Sequence, residues 1–185
     1  MSDKEKLISL LQNRELDILH VKEIYYNNRQ DREIVSQVAM NLSLKTSVYN
    51  RKKAYSQEMI ELLCDIAENK VDMSARWAVA KNPHTPQEVL VKLSKDEVNL
   101  VRALVATNHS TPPEILQRLF NDEKIVRDGL SANPSTPKKI LKLFVHDEDR
   151  LVRMRLAQNS AADKEILQLL LKDSDRDVSL AEKIL

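Results

Sequence analysis

A period of about 26 residues in the second half of the chain limits its fold more than any other feature. The strings ARWAVAKNPHTP, VRALVATNHSTP, VRDGLSANPSTP and VRMRLAQNSAAD follow one another in register from Ala75. Arg76, Arg102, Arg127 and Arg153 are separated by 26, 25 and 26 residues, and Asn82, Asn108, Asn133 and Asn159 keep those intervals. Asp96, Asp122, Asp147 and Asp173 recur with them. The residue lost in one copy falls between Asp122 and Arg127, which marks that segment as a turn able to absorb a deletion. Such self-similarity belongs to arrays of one small unit, each burying its apolar flank on the next.

Within a unit the apolar positions recur three and four apart and never alternate, so each period reads as two helices. The first helix is short, running from Val101 through Leu104, Val105 and Ala106 to Asn108, with equivalents at Val126 and Val152. Small residues at Ala80, Ala106, Ser131 and Ala157 predict close backbone approach, and the following Asn suits a left-handed helix end. The second helix is expected to start at Thr85-Pro86, Thr111-Pro112 and Thr136-Pro137, with the hydroxyl as cap and Glu88 and Glu114 completing capping boxes. Leu90 with Leu93, Leu116 with Leu119, Leu141 with Phe144, and Leu167 with Leu170 form its buried stripe. Five pairs result, over residues 56–82, 85–108, 111–133, 136–159 and 162–185. Upstream, DREIVSQVAMN (31–41) echoes the short helix after a helix across 15–28, as a degenerate sixth pair. Residues 42–55 read as a connection, so 1–55 form a helical cap and 56–185 the array.

Composition agrees with helices and excludes much chemistry. The 185 residues contain one glycine, Gly129, where average usage predicts roughly thirteen, so Walker loops, dinucleotide fingerprints and two-residue hairpin turns cannot be built. Lys plus Arg number 29 against 28 Asp plus Glu, and residues 1–70 hold eleven of each sign, so neither end is a charged tail. No global field steers a polyanion to the surface. Cys64 is the single cysteine, no internal disulfide can form, and no apolar run approaches the ~18 residues of a spanning helix. A reduced, cytoplasmic setting without membrane contact is the expectation.

The pattern VRxxVAxNPxTPxxxLxxLxxD resembles the leucine-rich repeat variant family, a branch of the HEAT-like helical solenoids, over residues 56–185. The fourth copy departs from it: Asn159-Ser160-Ala161-Ala162-Asp163 has neither proline. The resemblance implies an all-α, right-handed α-solenoid of two-helix repeats behind an N-terminal helical cap. It says little about a partner, because such scaffolds serve many tasks. Some members carry a cysteine-rich iron–sulfur segment before the repeats; Cys64 alone cannot supply it, so no cofactor is expected.

Four stacked arginines could grip phosphates, but each of the last three follows an aspartate: Arg102 six residues after Asp96, Arg127 five after Asp122, Arg153 six after Asp147. In HEAT-like proteins such acids and bases form a ladder between units, and the resemblance assigns Arg76, Asp96, Arg102, Asp122, Arg127, Asp147 and Arg153 to it. The run Asp173-Ser174-Asp175-Arg176-Asp177 lacks a calcium loop's Gly and final Glu, with Val178 and Ile184 in those places. His20, His84, His109 and His146 have no metal-ligand spacing, and no triad, P-loop or HExxH is present, so neither a metal nor an enzyme is expected.

All four tyrosines lie outside the repeats: Tyr25 and Tyr26 upstream, Tyr49 and Tyr55 around Arg51, Lys52 and Lys53. Tyrosines among bases can pack a cap, anchor a protein partner, or stack nucleobases, the last disfavoured by the charge balance. If the short helices line an inner curve, their non-core positions Trp77, Lys81, Leu104, Thr107, Asp128, Ala132, Met154, Arg155 and Gln158 face inward. These vary in chemistry from copy to copy while the packing positions do not. The expected function is a non-enzymatic scaffold or adaptor for a protein partner. Nucleic-acid binding is the alternative, since the HEAT-like alkylpurine DNA glycosylases are similar in helix pairing. Those need a groove rich in tryptophan and basic residues, against one Trp here.

Overall fold

The computed structural model describes residues 2–45 and 56–181. Among these the chain is all-helical, without strands. The helices are α1 (Asp3–Leu11), α2 (Ile18–Asn27), α3 (Arg32–Lys45), α4 (Gln57–Glu68), α5 (Met73–Lys81), α6 (Gln87–Leu93) and α7 (Asn99–Thr107). They continue as α8 (Pro113–Arg118), α9 (Lys124–Ala132), α10 (Lys138–Leu143), α11 (Arg150–Ala157), α12 (Lys164–Leu170) and α13 (Arg176–Ala181). Short 3-10 turns, Leu119–Asn121 and Phe144–His146, finish α8 and α10.

Alternate helices pack side by side: α1 on α3, α3 on α5, α5 on α7, α7 on α9, α9 on α11 and α11 on α13. On the other layer α2 meets α4 and α4 meets α6. One continuous apolar core runs between the layers from Leu11 to Ala181. Leu90, Leu93, Leu116, Leu119, Leu141 and Phe144 are buried in it; Leu167 is only half-buried and Ile166 takes its place inside.

Asparagine joins successive units. The Asn108 Nδ2 donates to the carbonyls of Ala80 and Asn82, both at 2.8 Å. Asn133 does so to Ala106 and Asn108, and Asn159 to Ser131 and Asn133. Each Oδ1 accepts from the N–H two residues on, at Ser110, Ser135 and Ala161. The expected left-handed helix end is thereby corrected: Asn82, Asn108 and Asn133 are extended, with φ of -64, -75 and -82°, and no described residue has positive φ. Asparagine is required here for a side chain that donates twice and accepts once.

The Thr-Pro expectation is corrected too. Prolines 86, 112 and 137 are themselves the N-caps, and having neither hydroxyl nor N–H they leave Glu88 and Glu114 without a capping box. The buried threonine hydroxyls point backward. Thr85 donates to Val79 O, Thr111 to Val105 O and Thr136 to Leu130 O, satisfying carbonyls at the end of the preceding helix. The fourth copy has Ala162 at the threonine position, and Asp163 caps α12 directly through Ile166 N.

Two further expectations change at the N-terminus. Residues 42–45 belong to α3, not to a connection. Helix α1, which the repeat pattern does not predict, is closed by a capping box between Ser2 and Glu5. Asn41 Nδ2 donates to Leu11 O and Asn13 O, so α1 is tied to α3 by the same device as the later units. The cap is fixed to α4 and the turn beyond it by Lys22 with Glu61, Arg32 with Asp72, and the Asn69 amide donating to Tyr25 Oη and Arg29 O. Tyr25 is buried, and the Tyr26 hydroxyl donates to Asp65, a bond that pushes the phenol up to about 12.

Gly129 lies where α9 crosses α7. A Cβ there would stand 2.9 Å from Ala103 O, 3.0 Å from Thr107 Cγ2 and 3.2 Å from Ala106 Cβ. The absent side chain lets the two helices close, which offsets the ~1 kcal/mol that glycine costs inside a helix.

Candidate protein-binding surface

The ladder side chains are buried or nearly so within the stack. Arg76 Nε and Nη2 reach Asp96 Oδ2 and Oδ1 at 2.6 and 3.3 Å, and both side chains are 2% exposed. Arg102 grips Asp122, Arg127 grips Asp147, and Arg153 grips Asp173 with the same fork. The partner is the aspartate twenty residues ahead. From the aspartate just behind it, each of the last three arginines takes only the backbone carbonyl: Asp96 O, Asp122 O and Asp147 O. One guanidinium thus holds two successive inter-helix turns. Burial pushes the Asp96 carboxyl up, yet Arg76 and the Val98 N–H together carry it below the usual carboxylate range. Arg102 holds Asp122 low, and Arg153 holds Asp173 low. Each of the three arginines beyond Arg76 is raised in turn by its aspartate. These groups face carboxylates rather than solvent.

On the opposite side of the same short helices lie the variable positions. Ser74, Trp77 and Lys81 share a face of α5, Leu100, Leu104 and Thr107 one of α7, and Ile125, Asp128 and Ala132 one of α9. Leu151, Met154, Arg155 and Gln158 do so on and just beyond α11. Because α5, α7, α9 and α11 pack in sequence, these faces adjoin. Trp77 is 36% exposed, with the Lys81 Nζ 5.1 Å from its ring centroid. Arg155 Nε lies 3.7 Å from Asp128 Oδ1, and half-burial pushes the Asp128 carboxyl up, partly offset by that guanidinium. Leu104 and Met154, expected as non-core residues, are half-buried and pack against the core. Tyr49, Arg51, Lys52, Lys53 and Tyr55 lie outside the described residues.

Four members of this surface are not among the positions expected from the sequence: Ser74 and three apolar residues. Leu100, Ile125 and Leu151 are 41, 40 and 39% exposed, one turn before the positions singled out above. Each stands two residues before a ladder arginine, so the period itself carries the signal. An apolar residue beside a recurring Val reads as core unless the helix phase is known. With Trp77 they place one exposed apolar residue on each of four helices that pack in sequence, a band in outline across this face.

Beside the band, the turns after α5 and α7 enclose an open depression of about 610 Å³, lined by Lys81, Pro83, His84, Thr107, Asn108, His109 and Ser110. Among the described residues no cluster of His, Cys, Asp or Glu is placed to hold a metal, and no helix is long and apolar enough to cross a membrane. A comparison with protein-family models and with curated proteins finds no match to this chain.

Proposed function

We propose that the chain is a non-enzymatic protein-binding scaffold: a right-handed solenoid of two-helix units of the leucine-rich repeat variant and HEAT-like kind. Its contact surface is the inner face of α5, α7, α9 and α11. A cytoplasmic location fits the single thiol and the absence of a membrane-spanning helix among the described residues.

One observation carries this reading. The side of each short helix that faces the ladder repeats its chemistry; on the opposite side Leu100, Ile125 and Leu151 recur as exposed aliphatic residues, while Trp77, Leu104, Asp128 and Met154 occupy nearby positions whose chemistry changes from unit to unit. Exposed apolar residues on each of four adjacent helices suit a partner that covers them. Trp and Arg at the centre of a contact are the residues that most often dominate binding. The nucleic-acid alternative is weakened because Arg76, Arg102, Arg127 and Arg153 are forked onto carboxylates.

The test is partner capture followed by mass spectrometry, with wild type compared against Trp77→Ala, Arg155→Ala and Leu100→Asp. A retained protein lost from the variants, whose helicity and melting temperature match wild type, supports the assignment. Equal retention by all four chains overturns it.

A further inference from the structure

The depression between the turns after α5 and α7 differs from the rest of the surface in its charge. Among the described residues none that lines it is acidic, although the chain carries 28 acids. Two imidazoles and one ammonium line it, from His84, His109 and Lys81. On the outer layer two lysines are paired across neighbouring helices, Lys92 with Glu68 and Lys142 with Glu165, each at 2.5 Å. Lys81 has no carboxylate partner among the described residues and rests over the exposed Trp77 ring. The site therefore has positive charge, a rim of exposed aromatic surface, and a position at the edge of the apolar band.

Its hydrogen-bonding capacity narrows the ligand. Phosphate is favoured by arginine forks or by concave nests of backbone N–H groups. Among the described residues no arginine lines the depression. The turn amides of His84 and Ser110 donate to Asn82 Oδ1 and Asn108 Oδ1, and those of Thr85 and Thr111 to the backbone oxygens of Asn82 and Asn108. The hydroxyls of Thr107 and Ser110 are turned onto Leu104 O and Pro83 O. An anion would therefore meet a compact ammonium with imidazole beside it, which suits a single carboxylate.

We propose that this depression receives a carboxylate side chain of the protein partner, seated by Lys81 with His109 while apolar residues of the same segment cover Trp77 and Leu100. The inference rests on the protein-binding reading and adds the partner's chemistry: an acidic segment with apolar neighbours.

Amide-shift mapping with an oligoglutamate peptide at low ionic strength tests it, because an exposed charge contact weakens with salt. Saturable shifts are expected at residues 81–85 and 107–111, with affinity reduced about tenfold in Lys81→Gln, or about 1.4 kcal/mol, and also reduced in His109→Gln. Shifts scattered over unrelated lysines, unchanged affinity in Lys81→Gln, or equal binding of an oligoglutamine peptide overturn the proposal. Inorganic phosphate bound as tightly at the same amides overturns the carboxylate assignment. If oligoglutamate fails while Leu100→Asp still abolishes capture of the partner, the carboxylate site falls alone; if capture is insensitive to every substitution on the face, the scaffold reading falls with it.

Discussion

Asn108 shows at the scale of one residue why this chain needs so few kinds of contact. Its amide satisfies two carbonyls of the previous turn and its oxygen one N–H of its own, all with the residue 5% exposed. Removing it takes the partner from the buried Ala80 carbonyl, leaves Asn82 O with the Thr85 N–H alone, and frees the half-buried Ser110 N–H. Asn108→Ala is expected to cost about 1–3 kcal/mol, the range for leaving a buried polar group unpaired, read as a fall in urea midpoint. Asn108→Asp should be no better, because a carboxylate cannot donate and would face two carbonyl oxygens. Arg76 is the second such residue. Arg76→Ala strands Asp96 as a buried charge and should cost about 3–5 kcal/mol. Pairing it with Asp96→Asn should cost less than the sum of the two single changes, since the sites share one interaction.

At the scale of elements, α7 and α9 are set by what their neighbours permit. Gly129→Ala raises helix propensity, yet its methyl would meet a backbone oxygen at 2.9 Å. Overpacking of this kind costs about 1–3 kcal/mol, so the variant should melt below wild type in a calorimetric scan; a higher melting temperature would show that the helices separate freely. The helices themselves were legible because their apolar spacing and the period coincide, as at Val101, Val105 and Ala106. Their ends were not. Thr85 and Pro86 carry the local signature of a helix start, but the carbonyl of Val79 lies within reach and takes the hydroxyl instead. A contact between turns overrode a rule about neighbours in sequence. Helix α1 was missed because charges interrupt its apolar face, although Ser2 and Glu5 have the capping-box spacing. The candidate surface was half legible: the exposed Trp77, Lys81 and Arg155 are set by helix phase. Leu100, Ile125 and Leu151 needed the neighbouring helix in place, and the depression needed two turns that are distant in sequence.

For the whole molecule, the ladder makes stability depend on pH. Asp96, Asp122 and Asp173 are held below their ordinary value of 3.8 in the folded chain, so the unfolded chain binds protons first as pH falls. Their contribution is complete above the unfolded value and is lost as pH drops through the depressed folded values. The melting temperature should therefore decline from about pH 5 downward, and Asp122→Asn should decline less steeply while starting lower. An identical slope in both chains would mean that the ladder does not set the pH dependence. The central claim is that each unit is tied to the one before it through an asparagine amide. Isotope-edited nuclear Overhauser spectra of the Asn108, Asn133 and Asn159 side-chain amides measure this directly. Cross-peaks are expected from Asn108 to the residues flanking Ala80 and Asn82, from Asn133 to those flanking Ala106 and Asn108, and from Asn159 to those flanking Ser131 and Asn133. Cross-peaks confined to each asparagine's own turn would contradict the claim.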